Sequence, residues 1–362
     1  MKSKTTGSRR KERQKRNAAD PSTKKSAFRE WLEAFLYAAT VALILKTFFF
    51  DAFRIPTPSM EDSLLTGDFL IVSKLHYGIR TPMSVSVPFT EIHIPNLTLP
   101  WFRIPGFSSI KRNDVFVFNY PVEDKVISAR THYIKRAVGM PGDTLEITNK
   151  VLKVNGLEID ENPGIQFFHE VFTAGQARLS PTKIAEAGGS VIGTTNSGST
   201  VINMTKAEAA ELSSWPEVER VQPYVNPPDY NLFGQSSGFY FSKGIVGNTD
   251  QFPSIVIPFE GQQIILTPEN YHLYRDILTR FEGNTVIVEG NEFVINGERT
   301  NTYTIKQNYY FAMGDNRDNS EDSRFWGFVP DDHVVGKAVM LYFSWDAERT
   351  FPRFGRIFNL IR

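Results

Sequence analysis

A serine and a lysine that lie far apart in the sequence are the residues best suited to chemistry in this chain. Ser59 follows Thr57-Pro58, and Lys135 stands in the strand-like run Tyr133-Ile134-Lys135-Arg136. A serine hydroxyl is a poor nucleophile until a base removes its proton. A lysine amine can be that base if burial lowers its pKa from about 10.4. Such a pair would support acyl transfer without histidine or a metal ion.

Other catalytic patterns are missing from the sequence. Its histidines form no recognisable triad pattern, and no His-Glu-x-x-His, Walker or Gly-x-Gly-x-x-Gly motif occurs. The chain contains no cysteine, which excludes disulfides, thiol catalysis and cysteine-ligated zinc. We therefore expect neither a metal nor a cofactor. On residue types alone, a surface lysine and a turn serine are the simpler interpretation, because the chain has many of both.

An apolar segment near the N-terminus precedes the serine. Residues 34–45 carry no charge, and Glu33 and Lys46 flank them. No small-x-small cleavage site follows, so we interpret 28–51 as a transmembrane helix rather than a removable signal peptide. A buried amphipathic helix is the alternative. The preceding segment, 1–27, has ten basic and two acidic residues and is predicted to be a disordered cytoplasmic tail.

The rest of the chain is predicted to be mainly β. Short β-rich runs bounded by turn residues recur, at 69–72, 115–118, 144–147 and 338–343. Helix starts are few, and they are Ser180-Pro181, the capping box Thr205-x-x-Glu208 and Thr267-Pro268.

Two segments echo each other, and each ends in Asn-Gly, a strong hairpin signal. They are 151–156 and 292–297, and two unrelated hairpins with the same turn chemistry are the favoured interpretation. The intervening residues are richer in Gly, Ser, Thr and Pro. The predicted organisation is a β core in two parts, 52–156 and 285–345, with an insertion at 157–284 between them. A basic-aromatic tail follows at 346–362.

Four segments together resemble the bacterial type I signal peptidases. They follow the apolar segment in the family's order, and they are 53–60, 111–118, 133–143 and 314–324. The resemblance implies a mainly β fold, in which an N-terminal transmembrane helix precedes a signal-peptidase-like β catalytic core with a large inserted α+β subdomain. Three departures from the family pattern occur, and one is Glu61-Asp62-Ser63 in place of the usual Pro-Thr after Met60. Pro58 replaces a common glycine and needs a φ near −65°, and Asn113 replaces a glycine, which suits a left-handed backbone.

The resemblance also implies roles for the matched residues. Ser59 would be the nucleophile and Lys135 its general base, while the Thr57 hydroxyl and the Ser59 N–H would form the oxyanion hole. Ser320 would orient the lysine. The charged residues expected to brace the site are Asp315, Arg317, Asp322 and Arg324. The residues expected to line the substrate pocket are Phe53, Ile55, Pro56, Tyr133 and Ile134.

The implied function is a membrane-anchored serine endopeptidase that cleaves signal peptides from exported preproteins after a small-x-small site. The expected partners are preproteins with signal peptides and the lipid bilayer, with no nucleic acid, and a monomer is expected. The expected location is the bacterial inner (cytoplasmic) membrane, crossed once, with the N-terminus cytoplasmic and the catalytic domain periplasmic. Two alternatives stay open: a maturation peptidase with narrow substrates, and a non-catalytic, membrane-anchored binding domain.

Two further surfaces offer apolar and aromatic residues. The proline-rich stretch 87–107 is expected either to rest on the bilayer or to pack normally. The C-terminal tail 346–362 combines arginines with aromatic residues, and either attaches to an anionic membrane or packs on the core.

Overall fold

The computed structural model describes residues 26–86, 93–175, 177–233 and 239–361. The predicted disordered tail therefore lies almost wholly outside the described residues, as do residues 87–92 of the proline-rich stretch. The described residues divide into two compact units, with the boundary between Lys46 and Thr47.

Strands dominate the second unit, which agrees with the predicted mainly β fold. The strands of the described residues begin with β1 (Phe50–Arg54), β2 (Asp68–Ser73), β3 (Ile79–Arg80), β4 (Ser84–Ser86), β5 (His93–Thr98), β6 (Arg103–Ile104), β7 (Val115–Asn119), β8 (His132–Gly139), β9 (Thr144–Thr148), β10 (Val151–Val154), β11 (Leu157–Glu158) and β12 (Gln166–Thr173). They continue with β13 (Ser190–Thr194), β14 (Thr200–Thr205), β15 (Val218–Pro223), β16 (Gln251–Val256), β17 (Gln263–Ile265), β18 (Val286–Glu289), β19 (Glu292–Ile295), β20 (Glu298–Arg299), β21 (Thr302–Thr304), β22 (Tyr309–Met313), β23 (Val329–Pro330), β24 (Val334–Asp346) and β25 (Phe351–Pro352).

The helices are short, except for the first. In the described residues they are α1 (Ala27–Ile44), α2 (Pro181–Glu186), α3 (Lys206–Leu212), α4 (Tyr240–Lys243), α5 (Tyr271–Asp276) and α6 (Ser323–Trp326). The predicted starts of α2 and α3 are confirmed, because Ser180 caps α2 and Thr205 forms a capping box with Glu208. The third predicted start is early, since α5 begins at Tyr271 rather than at Thr267.

Helix α1 is long and apolar enough to cross a membrane when the π-helical turn Leu45–Phe49 that continues it is included. No residue of Ala27–Ile44 is buried. At about 1.5 Å per residue, its 23 residues span about 34 Å, and a hydrocarbon core is about 30 Å thick. Phe50 and Asp51, which the sequence prediction assigned to the span, belong to β1 because they pair with Ser73 and Val72 of β2.

The central sheet has the strand order β1-β2-β24-β7-β8-β22-β23, with β25 paired to β24. Strand β7 shows why its sequence is apolar without alternation. Val115 and Val117 enter one buried cluster, and Phe116 and Phe118 enter another. Because successive side chains of a strand point to opposite faces, β7 has both faces covered. It lies beside β8, and both strands are in the interior of the sheet.

The predicted insertion 157–284 consists of two different parts. Residues 166–223 contain the separate sheet β13-β14-β12-β15, and its strands pack with α2 and α3 around their own apolar cluster. By contrast, β16 pairs with β9 and joins the sheet β11-β10-β9-β16. Phe252 and Ile255 of β16 then pack in the same large cluster as Val138 and Leu145.

Both Asn-Gly sequences form hairpin turns, as predicted. Asn155 and Gly156 have φ values of 54° and 78°, and Asn296 and Gly297 have 52° and 87°. Two successive residues with positive φ are typical of the type I′ turn, which matches the twist of the flanking strands. The first turn joins β10 to β11, and the second joins β19 to β20.

The two hairpins share more than a turn. Each belongs to a three-stranded meander, β9-β10-β11 or β18-β19-β20. In the first, the Thr144 N–H donates to Asn155 Oδ1 at 2.9 Å. In the second, the Thr285 N–H donates to Asn296 Oδ1, also at 2.9 Å. The echo in the sequence thus marks a repeated strand order and a repeated hydrogen-bond arrangement.

The C-terminal tail packs on the core along one side and exposes apolar residues along another. Arg356 forms an ion pair with the buried Asp68 at 2.7 Å, and Ile361 packs against the cluster that contains Ile55. The exposed residues of the tail include Phe351, Phe354, Phe358 and Leu360.

Candidate active site

Ser59 lies in a tight turn that follows the edge strand of the central sheet. The 3-10 turn Pro58–Met60 comes four residues after the end of β1. Proline suits the first position of such a turn, because its φ is already fixed near the required value. Met60 is fully buried and fastens the turn to the core, whereas Ser59 stays partly exposed. Pro58 therefore fits the backbone without strain.

Lys135 lies in the middle of β8, where it is 4% exposed. Its cross-strand neighbour is Phe116 of β7, which belongs to a buried apolar cluster. Its Nζ donates a hydrogen bond to Ser59 Oγ at 2.6 Å. The fold thus brings together the two residues that the sequence analysis singled out, although 76 positions separate them.

The surroundings of Lys135 favour a neutral amine. Burial lowers the pKa of Lys135 to about 8, and the carboxylates of Asp322 and Asp315 only partly oppose this shift. Within the described part of the chain, Lys135 forms no salt bridge. A substantial share of the molecules therefore carries an uncharged amine next to the serine hydroxyl at mildly alkaline pH.

Thr57 lies on the solvent side of the serine. Its hydroxyl Oγ1 is 3.5 Å from Ser59 Oγ, and the side chain is exposed. A donor at this position can reach an oxygen atom of a substrate bound at Ser59. The structure therefore allows the oxyanion role that the sequence resemblance implied for Thr57.

The segment 314–322, called here the 314–322 loop, holds the backbone of the serine turn. The Asn316 N–H donates to the carbonyl oxygen of Ser59 at 3.2 Å, and Asn316 Nδ2 donates to that of Pro58 at 3.2 Å. A Cβ atom on Gly314 would lie 2.4 Å from the Ser59 carbonyl oxygen. Gly314 and Asn316 were not among the predicted site residues, and only the fold shows what they contact.

Ser320 is buried beside Gly314, but its predicted contact with the lysine is not formed. A Cβ atom on Gly314 would lie 2.2 Å from Ser320 Oγ, so this hydroxyl sits close to the Ser59 backbone. Among the described residues, Ser320 Oγ has no hydrogen-bond partner. Lys135 Nζ bonds to Ser59 instead, which leaves the Ser320 hydroxyl available within the site.

Two buried ion pairs brace the loop at its ends. Arg136 binds Asp315 through two hydrogen bonds of 2.7 and 2.6 Å. Arg324 binds Asp322 in the same bidentate way, at 2.9 and 2.8 Å. Burial raises the pKa of Asp322, but the Arg324 guanidinium outweighs it, and the pKa of this carboxyl lies below its usual value. Arg136 belongs to β8 next to Lys135, so the first pair ties the loop to the lysine strand.

Arg317 and Asp322 also hold the backbone of Gly314. Asp322 Oδ2 accepts a hydrogen bond from the Gly314 N–H at 3.0 Å, and Arg317 Nε donates to the Gly314 carbonyl at 3.2 Å. Arg317 itself pairs with Glu161. The four charged residues expected to brace the site therefore all contact the 314–322 loop or lie within it.

The predicted pocket residues fall into two groups. Phe53 and Ile134 are half-buried and pack against the apolar cluster that contains Ile55, which is 2% exposed. Tyr133 faces the other cluster, where its ring stacks on Tyr120 with a centroid distance of 4.2 Å. Pro56 is exposed. The four of these residues that keep solvent exposure, Phe53, Pro56, Tyr133 and Ile134, have apolar or aromatic side chains.

The geometry defines a class of site. A hydroxyl is hydrogen-bonded to a buried amine of lowered pKa, with a second hydroxyl beside it and a loop that two buried ion pairs hold against the serine turn. This arrangement suits acyl transfer through a serine that a lysine base activates.

Comparison with known proteins identifies the family. A family model described as "Signal peptidase, peptidase S26" matches residues 28–210 and 275–345, which is more than half of the chain. The chain therefore belongs to the signal peptidase family, peptidase S26, and is a serine peptidase, as the sequence resemblance predicted.

Individual relatives match this chain over most of their length. A protein named Signal peptidase I from Buchnera aphidicola subsp. Baizongia pistaciae is 25% identical over 331 residues, covering 88% of this chain and 80% of the relative. The protein of that name from Pseudomonas aeruginosa is 26% identical, covering 91% and 78%. The one from Haemophilus influenzae is 26% identical, covering 92% and 76%.

Proposed function

We propose that this chain is a membrane-anchored endopeptidase that removes signal peptides from exported preproteins with a Ser59–Lys135 dyad. The observation that carries the proposal is the 2.6 Å hydrogen bond between the buried Lys135 amine and the Ser59 hydroxyl. The relatives' name, Signal peptidase I, supplies the substrate class.

In the first half of the reaction, neutral Lys135 takes the Ser59 proton while Ser59 Oγ bonds to the scissile carbonyl carbon. The carbonyl oxygen becomes an oxyanion, which accepts hydrogen bonds from the Ser59 N–H and the Thr57 hydroxyl. One such donor is worth about 3 kcal/mol of barrier. When the intermediate collapses, the C–N bond breaks, and the Lys135 ammonium returns its proton to the leaving amine.

In the second half, water replaces the amine. Neutral Lys135 takes a proton from this water, whose oxygen bonds to the acyl carbon of the ester on Ser59. The second intermediate collapses with cleavage of the bond to Ser59 Oγ, and Lys135 returns the proton to that oxygen. The enzyme regains its starting state, so no metal or cofactor takes part in this scheme.

The substrate pocket follows from the apolar surface around Phe53, Ile55 and Ile134. Bulky walls leave room for a small side chain such as alanine and exclude larger ones by steric repulsion. A small-x-small sequence is the feature that ends a signal peptide. We infer that these residues, with Pro56 and Tyr133 at the rim, select that sequence.

The proposed location is a single passage of helix α1 through the bacterial inner membrane. Its 23-residue apolar length supports this, and the excess of basic residues before it supports a cytoplasmic N-terminus. The catalytic unit then lies on the periplasmic side, where exported preproteins emerge. We propose a monomer, whose partners are the bilayer and its preprotein substrates.

The test is cleavage of a purified preprotein by the full chain in detergent. Ser59→Ala and Lys135→Ala are each expected to abolish product formation. The matched controls are Ser213→Ala, at an exposed residue, and Lys153→Ala, at a partly exposed residue that pairs with Glu146. Unchanged cleavage by either dyad variant would refute the dyad. A wild-type chain that cleaves one preprotein but none from a broad panel would indicate a maturation peptidase instead.

A further inference from the structure

Lys150 is a second buried lysine, and the proposed chemistry does not use it. It is 8% exposed and occupies the turn between β9 and β10. Its backbone φ is +68°, a left-handed conformation that side chains other than glycine, asparagine and aspartate rarely adopt. The burial of a long side chain and the strained backbone of Lys150 both cost free energy. Specific contacts of Lys150 must therefore offset this cost.

The contacts of Lys150 reach two distant parts of the chain. Its Nζ donates to Asp318 Oδ1 at 2.5 Å and to Asp250 Oδ1 at 2.9 Å. Asp318 belongs to the 314–322 loop, and Asp250 immediately precedes β16. The three side chains are each no more than 6% exposed. The Lys150 ammonium therefore joins the 314–322 loop to the turn between β9 and β10 and to the start of β16.

Strand β12, the first strand of the inserted sheet, completes the attachment of this loop. The Gln166 N–H donates to the Asp315 carbonyl at 2.9 Å, and the Arg317 N–H donates to the Gln166 carbonyl at 3.0 Å. The second carboxylate oxygen of Asp318 accepts the Phe168 N–H at 2.7 Å. The loop thus lies against β12 as an additional parallel strand would.

The second hairpin provides an internal reference. At the turn between β18 and β19, Gly290 has a φ of +65° and Asn291 follows it. That turn uses glycine at its position of positive φ, and residues 286–299 of its hairpin include no lysine. The first turn instead places Asn149 and Lys150 at positive φ. The strained residue, Lys150, thus occurs in the hairpin whose turn faces the 314–322 loop.

We propose that Lys150 is a positioning residue that, with β12 of the inserted sheet, fixes the 314–322 loop behind Ser59. The loop in turn holds the Ser59 carbonyl through Asn316. Strand β12 of the inserted subdomain therefore helps to hold the loop that positions Ser59. This inference rests on the proposed Ser59–Lys135 function, and its tests include one that does not depend on activity.

The first test compares steady-state kinetics of Lys150→Met and Lys153→Met, both in the full chain in detergent. Lys153 lies in the same hairpin but is partly exposed, and among the described residues its ion-pair partner is Glu146. Lys150→Met should lower kcat about tenfold to 100-fold with KM within about threefold, because misplacement of about 1 Å can cost about 100-fold. Lys150→Arg should restore most of kcat. An unchanged kcat in folded Lys150→Met would overturn the proposal.

The second test asks whether Lys150 acts through Asp318. Asp318→Asn should lower kcat, and the double variant Lys150→Met/Asp318→Asn should be no slower than the slower single variant. Residues that act as one unit give such non-additive effects. Multiplied losses in the double variant would mean that the two residues act independently and would contradict the inference.

The third test measures hydrogen exchange in a peptide covering the 314–322 loop. Lys150→Met should raise its exchange rate about tenfold, whereas Lys153→Met should leave it unchanged, because loss of tertiary support promotes local opening. Unchanged exchange in Lys150→Met would refute the loop attachment even if the wild type cleaved preproteins. Increased exchange in a chain that cleaves no preprotein would support the attachment and refute only the proposed function.

Discussion

Two buried lysines of this peptidase differ in what their amines contact. Lys135 is 4% exposed and donates to a neutral hydroxyl, and its pKa is lowered to about 8 by burial. Lys150 is 8% exposed and donates to two carboxylates. Burial favours the neutral amine, and nearby carboxylates favour the ammonium.

The difference indicates that burial alone does not decide whether a lysine is suited to act as a base. At Lys135 the fold keeps Asp315 and Asp322 occupied by Arg136 and Arg324, so their charges are largely satisfied elsewhere. At Lys150 the carboxylates of Asp250 and Asp318 have the lysine itself as their ion-pair partner. The guanidinium groups around the active site thus help to leave Lys135 free of an ion pair.

Replacing each lysine by arginine should produce the largest contrast. Arginine stays protonated, so Lys135→Arg should lower kcat by about 10⁴-fold or more, as loss of a general base does in serine proteases. Lys150→Arg keeps a cation between two carboxylates and should stay within about fivefold of wild type. Preprotein cleavage measures both. Equal losses in the two variants would mean that the lysines do not differ in role.

Replacing each lysine by methionine should change stability in opposite directions at pH 7. Lys150→Met leaves two buried carboxylates unpaired, which typically costs about 3–5 kcal/mol of unfolding free energy. Lys135→Met removes an amine whose pKa falls from 10.5 to about 8 on folding, which corresponds to a penalty of about 3 kcal/mol. It should therefore raise the melting temperature of the full chain in detergent.

The sign of this second effect depends on pH. Because the pKa of folded Lys135 lies below that of the unfolded chain, the penalty is complete below about pH 8 and fades as the pH rises toward 10.5. The stabilisation by Lys135→Met should therefore be largest near pH 7 and decline above pH 8. If Lys135→Met melted at a lower temperature than wild type at pH 7, the Lys135 amine would not be destabilising.

A third variant moves the loop and leaves both lysines in place. Gly314→Ala would push a Cβ atom to 2.2 Å from Ser320 Oγ and 2.4 Å from the Ser59 carbonyl oxygen. We expect kcat to fall about 100-fold, because a shift of about 1 Å in the site has that effect. Gly193→Ala is the matched control, since nothing lies within 4 Å of its Cβ position. Normal activity of Gly314→Ala would exclude close packing at this point.

The smallest effects concern the pH profile. With Lys135 as the base, kcat/KM should rise with pH up to about 8 and then level off. The nearby Glu321 carboxylate raises the pKa of Lys135, so Glu321→Gln should move the acid limb to lower pH. A shift of about 0.2–0.7 unit is expected, because exposed pairs are worth about 0.2–1 kcal/mol. A shift to higher pH would contradict this assignment.

The sequence predicted those parts of the site that reside in local patterns. The continuous apolar run of β7, the capping box of α3 and both Asn-Gly turns form as expected. Asn113 adopts a φ of +72°, as its replacement of a glycine suggested. Residue types alone did not favour Ser59 and Lys135 as a pair; the family resemblance did, because it linked four separate segments.

The parts that escaped prediction depend on partners far away in the sequence. Lys150 meets Asp250 and Asp318 across 100 and 168 positions, and no local pattern marks such a contact. Strand β16 lies within the predicted insertion but pairs with β9, and its apolar sequence does not indicate which sheet it joins. The Ser320 hydroxyl was expected at the lysine, but its exact contact depends on side-chain geometry that a motif does not encode.

The repeated hairpin turn also bears on the chemical ageing of the protein. Asparagine followed by glycine is prone to deamidation, in which the backbone nitrogen of the glycine attacks the side-chain amide carbon to form a succinimide. At Asn155 that amide is held at both ends, since its oxygen accepts the Thr144 N–H and its nitrogen donates to Asp143 Oδ1 at 2.8 Å. Both bonds must break before the ring can close. The turn that sets the register of the hairpin therefore also slows its own degradation.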